Sequence, residues 1–167
     1  MLMRNFFSQL KPKTFQILCI TMCLFGDLSF SGYIYNIFSD KDAYLKNFEL
    51  LRDPLKEAFK QQGMTLPIGF EHEIFQIMLQ TLSLMLLMFI FAHAVIYAFY
   101  YFQKRFAFLY IRFISIMGVL GALTFSISTF SLSPIWGLTF TLVTLAYLFV
   151  TFGTYYFPVI PKDSSEQ

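Results

Sequence analysis

The stretch Ile74–Gln103, IFQIMLQTLSLMLLMFIFAHAVIYAFYYFQ, runs for 30 residues without a formally charged side chain. A helix needs about 20 mostly apolar residues to cross the hydrocarbon of a bilayer. At about 1.5 Å per residue this one would reach ~45 Å, so it is expected to tilt or to project. Three more stretches fit the same template on either side of it. Thr14–Phe38 is broken only by Asp27, Phe106–Phe130 carries Arg112 near its start, and Ile135–Phe157 is uncharged. Ser131-Leu-Ser-Pro134 separates the last two, because Pro134 cannot carry a helix through its missing N–H.

The whole chain agrees with these segments. Of 167 residues, 57% are hydrophobic and 13% charged, against about 45–50% and about 25% in soluble domains. Phenylalanine alone fills 23 positions, and mean hydropathy is +0.61. So few charges cannot cover a water-soluble surface, and disorder, coiled coil, collagen and disulfide scaffolds fail on the same figures. The expected fold is an all-α integral membrane protein. It has four transmembrane helices in a bundle, 14–38, 74–103, 106–130 and 135–157, forming one membrane domain over 1–167.

Arg4, Lys11 and Lys13 before the first apolar run resemble the start of a secretory leader. The run is too long for one, and no small-x-small site follows it, so a retained signal anchor is expected. Orientation follows from basic residues in short flanks. Arg4, Lys11, Lys13, Lys104, Arg105, Arg112 and Lys162 fall on one side. Lys41, Lys46, Arg52, Lys56 and Lys60 fall on the other, among seven acids. Both termini, 1–13 and 158–167, are therefore expected in the cytoplasm, with the membrane a bacterial inner membrane or a plasma membrane.

The segment 39–73 is the only sizeable part outside the bilayer. At 100° per residue Tyr44, Phe48, Leu51, Leu55, Ala58 and Phe59 share one face. Asp42, Lys46, Glu49, Asp53, Lys56 and Lys60 occupy the other, at spacings of 4, 3, 4, 3 and 4. This predicts an amphipathic outer helix, or a pair broken at Pro54, ending at Gly63. Its apolar face, Phe48, Leu51, Leu55 and Phe59, is a candidate partner surface or a cover for the bundle. Its mixed charge argues against a sensor of anionic lipid.

Inside the spans, Asp27 is the most informative residue. A carboxylate at mid-membrane costs roughly 2.5–3.5 kcal/mol on insertion scales, so it should face inward and have a partner. Cys19, Cys23, Asp27, Ser31 and Tyr35 recur every four residues as a polar stripe, with Gly26, Ser29 and Gly32 beside it. His93 and Tyr97 are the candidate polar residues of the second span. By helical rise His93 should lie on the order of 8 Å below Asp27, so a direct bond requires staggered helices or a water between them. Gly118 and Ala122 in the third span form a small-xxx-small packing pair, and Thr141, Thr144, Tyr147, Thr151 and Thr154 line a packing face of the fourth.

Catalytic and cofactor signatures do not occur. The sequence has no Gly-rich phosphate loop, GxSxG, HExxH or CxxC. One span histidine and two thiols on separate helices make a poor metal site, and His72 lies outside the spans, so neither haem nor zinc is expected. Glu71, His72 and Glu73 suit a helix N-terminus without any ligand. A net charge of +2 with no basic run excludes nucleic acid as a partner.

In topology alone the layout resembles small multidrug exporters, from which the 35-residue outer segment and the aromatic content set it apart. Glutathione-linked four-helix membrane enzymes are similar in layout but carry basic and polar clusters that this chain lacks. The composition favours a small non-catalytic subunit, assembly factor or interaction partner of a membrane complex, in the lipid bilayer with protein partners or a second copy. The alternative is an oligomeric proton- or cation-coupled transporter or channel protomer working through Asp27.

Overall fold

The structure, a computed structural model, describes residues 7–157. Arg4 and Lys162, both counted toward the orientation, and the expected cytoplasmic tail 158–167 lie outside the described residues. Five long helices follow one another: α1 Pro12–Phe38, α2 Lys41–Gln61, α3 Phe70–Tyr101, α4 Arg105–Phe130 and α5 Pro134–Tyr156. No strand occurs among the described residues. Four of the helices, α1, α3, α4 and α5, are long and apolar enough to cross a membrane. Their ends fall within a few residues of the expected spans, the largest difference being the four residues by which α3 starts before Ile74.

Local chemistry accounts for the helix ends. Asp40 caps α2, its side chain accepting from the Ala43 N–H at 3.0 Å. The helix continues through Pro54 as one element and closes on Gly63, whose φ of +72° belongs to the left-handed region that glycine tolerates. The Gly63 and Met64 N–H groups return to the Lys60 and Phe59 carbonyls. Pro134 opens α5 in the first turn, where its missing N–H would have had no helical partner. Between α3 and α4, Gln103 adopts φ 58°, and the Lys104 N–H bonds the Phe99 carbonyl.

The chain divides into two compact units, Met1–Phe30 with Ile90–Gln167, and Ser31–Phe89. In the second unit aromatic rings join α2 to the start of α3. Tyr44 meets Phe75 at 4.9 Å between ring centroids, and Phe48 and Phe59 meet Phe70 at 6.4 and 5.7 Å. Phe48 is buried, and Leu55 and Phe59 are half-buried. Within this chain Leu51 is 58% exposed, and Leu50 beside it is 78% exposed. The Tyr44 hydroxyl is buried without a hydrogen-bond partner. Burial, and then the nearby Glu71 carboxylate, push this phenol above its ordinary range.

In the first unit neighbouring helices run antiparallel. The pairings of α4 with α5 show it: Ser115 with Thr151, Ser126 with Thr141, and Phe125 with Phe140. The Thr151 hydroxyl donates to Ser115 Oγ at 3.0 Å, and the Ser126 and Thr141 hydroxyls lie 2.7 Å apart. Such bonds matter in lipid, where apolar side chains gain nothing by leaving the solvent. Phe7 packs on Phe149, Tyr156 and Phe157, so the two ends of the described chain meet.

Glycines set how closely α1, α4 and α5 approach. The Tyr147 ring of α5 lies over both Gly26 of α1 and Gly118 of α4, where an added Cβ would overlap it. Gly118, predicted to pair with Ala122 as a small-residue contact, instead makes room for this ring. Gly153 likewise gives up its side-chain space to the rings of Phe15 and Phe7.

Candidate functional site

The polar stripe of α1 turns inward over most of its length. Cys19 and Cys23 are fully buried, Asp27 is 3% exposed and Ser31 is buried, while Tyr35 near the C-terminal end of α1 is exposed. A period of four residues drifts slowly around a helix, which keeps the first members on one face and carries the last one off it.

Opposite the inner part of this stripe, α3 presents residues at matching heights. Cys19 lies beside Tyr100, Cys23 beside Tyr97, and Asp27 meets His93. The partners on α3 thus descend in number, 100, 97 and 93, as those on α1 rise. This is the order two antiparallel helices require.

Asp27 is held directly. His93 Nδ1 lies 2.9 Å from Asp27 Oδ2, and the Tyr97 hydroxyl donates a short hydrogen bond to the same oxygen. The expected offset of about 8 Å is absent because the two helices pass each other out of register. Asp27 sits near the middle of α1, whereas His93 comes eight residues before the end of α3 at Tyr101. The contact is therefore a staggered direct bond with no water needed between the groups.

The other ring nitrogen of His93 reaches a residue the sequence did not single out. Tyr110, in the second turn of α4, places its hydroxyl 2.7 Å from Nε2. The rings of Tyr97 and Tyr110 both stand edge-on to the imidazole, at 5.9 and 5.7 Å between centroids. Read along the chain, Tyr110 looks like one more interfacial aromatic near the start of a span. Only the crossing of α3 and α4 shows its role. Tyr147 completes the surroundings from α5, its ring lying over Gly26, the neighbour of Asp27 on α1.

Asp27, His93, Tyr97 and Tyr110 are thus one connected network drawn from three helices. Asp27, His93 and Tyr97 are buried, and Tyr110 is half-buried. Beside it, Ile20 and Leu24 of α1 and Ala94, Ala98 and Tyr101 of α3 line an apolar groove. Of the remaining candidates, Ser31 has a buried hydroxyl without a hydrogen-bond partner. Arg112, two residues beyond Tyr110, stacks its guanidinium 3.6 Å from the centroid of the Tyr155 ring. Among the described residues no group of three or more histidine, cysteine, aspartate or glutamate side chains is placed to hold a metal ion.

Comparison of the chain with protein-family models, with curated proteins and with solved structures finds no significant match.

Proposed function

We propose that this chain is a small non-catalytic subunit or assembly factor of a membrane complex. In this reading its four spans form a bundle with both termini in the cytoplasm, and the amphipathic α2 lies on the outer side. One observation carries the reading. The most costly side chain in the spans, Asp27, directs its Oδ2 at two groups of its own chain, His93 and Tyr97, in a contact that leaves it 3% exposed. Polar groups used in this way fix helix against helix, as interhelical hydrogen bonds do in membranes. The hydroxyls of Ser115, Thr151, Ser126 and Thr141 are used in the same manner.

The partner surface in this proposal is α2. Tyr44 and Phe48 anchor it on Phe75 and Phe70, while Leu50 and Leu51 stay exposed next to a row of charges. Exposed leucines flanked by polar side chains are what a docking face presents before it is covered.

The test is gentle extraction of the tagged full chain, followed by mass determination of the intact particle. The expected result is a complex with other proteins at fixed stoichiometry, retained by Asp27→Asn and reduced by Asp27→Leu. A chain that emerges alone would overturn the proposal. A homo-oligomer would also overturn it, in favour of the proton- or cation-coupled carrier.

A further inference from the structure

The hydrogen count of the buried network has a consequence beyond helix packing. Two contacts at His93 each need one hydrogen, Nδ1 to Asp27 Oδ2 at 2.9 Å and Nε2 to the Tyr110 hydroxyl at 2.7 Å. With Asp27 ionised and His93 neutral, the ring hydrogen sits on Nδ1 and points at Oδ2. Nε2 then accepts from the Tyr110 hydroxyl, and the Tyr97 hydroxyl fills the other position on Oδ2. With one proton more, Nε2–H donates to the Tyr110 oxygen, and the two bonds to Asp27 are unchanged. Only the hydroxyl hydrogen of Tyr110 has to turn away. A buried polar network is costly wherever a member loses its partner, and here every heavy-atom contact of Asp27 and His93 is kept in both states, the one donor released being that of the half-buried Tyr110.

We propose that Asp27 and His93 form a binding site for a single exchangeable proton, loaded and unloaded through Tyr110. The step is a relay. The Tyr110 O–H proton passes to His93 Nε2, and the phenol oxygen takes a replacement from outside the network. Unloading runs in reverse, and no bond other than O–H and N–H forms or breaks. The unloaded pair carries one negative charge and the loaded pair none. Tyr110 is the member placed for the exchange, because it is half-buried while Asp27, His93 and Tyr97 are buried.

Every helix of this unit contributes groups that face the pair. Cys23 comes from α1, Tyr97 from α3, Tyr110 from α4 and Tyr147 from α5. Arg112 on α4 has its guanidinium over Tyr155. The inference does not rest on the reading as a subunit, since a proton site can serve a subunit or a carrier equally.

The experiment uses the full chain in lipid nanodiscs, with His72→Gln so that His93 is its one histidine. Nitrogen NMR of ¹⁵N-labelled imidazole then follows protonation directly. The expected result is a change from one to two protonated ring nitrogens on acidification, with uptake of one proton by the Asp27–His93 pair. Tyr110→Phe should still reach both end states but exchange about a hundredfold more slowly, the scale of one positioned proton transfer. A His93 that keeps one protonation state at every pH at which the chain retains its helical circular dichroism would overturn the proposal. A Tyr110→Phe chain that exchanges as fast as its parent would overturn the route.

Discussion

Replacing Gly118 with alanine puts a methyl group where the Tyr147 ring lies. The added Cβ would stand 2.6 Å from Cδ2 and Cε2 of that ring, against about 3.5–4.0 Å for carbon atoms at rest. The ring must therefore retreat by about 1 Å or α4 must move off α5. Retreat is blocked, since Gly26 of α1 also gives up its side-chain space to Tyr147. Overpacking of this kind costs about 1–3 kcal/mol. Gly121→Ala supplies the comparison. Its Cβ would meet only Phe30, at 3.9 Å, and alanine is favoured over glycine in a helix by about 0.5–1 kcal/mol. Both variants share that helix gain, so their difference isolates the clash with Tyr147. Reversible unfolding in mixed micelles, followed by the fluorescence of Trp136, the chain's one tryptophan, measures both. Gly118→Ala should be less stable than Gly121→Ala by about 1–3 kcal/mol, and Tyr147→Leu in the Gly118→Ala background should recover part of the loss. Equal stability of the two alanine variants would refute the wedge.

Two further outcomes concern α2. Phe48→Asp should cost roughly 3–5 kcal/mol, the scale for losing a buried aromatic, and detach α2 from Phe70. Glu49→Gln, on an exposed position, should stay within about 0.5 kcal/mol, and equal effects of the two by the same unfolding assay would contradict the face assigned to Phe48. A cysteine at position 50 should react with a membrane-impermeant thiol reagent on intact cells, because Leu50 is 78% exposed while Cys19 and Cys23 are fully buried. Reaction only after permeabilisation would reverse the topology.

What the sequence showed and what it concealed divide along a physical line. Span existence depends on local composition, so Ile74–Gln103 and its three companions could be read directly, as could the break at Pro134. The α2 segment was equally plain, since its charges recur at 3 and 4. Packing register is another matter. The height at which α1 passes α3 depends on stagger between distant segments, and counting from helix centres placed His93 about 8 Å from a residue it in fact touches. Tyr110 escapes a reading along the chain for the same reason, as nothing in its neighbours marks it as a partner of His93. Gly118 stands out as a small packing residue, but nothing local says that the group it admits is the ring of Tyr147.

The central claim is that Asp27 and His93 act as one unit that ties α1 to α3. A double-mutant cycle tests it most directly, comparing Asp27→Leu, His93→Leu and the double variant by unfolding in mixed micelles. Interhelical hydrogen bonds in membranes are worth about 0.6 kcal/mol on average and up to about 1.7, and bonds to a charged group about 1.5–3. The contact at 2.9 Å, reinforced by Tyr97, predicts a coupling of about 1 kcal/mol or more. Losses that add independently to within about 0.3–0.5 kcal/mol would contradict it, and the two residues would then stabilise the helices separately.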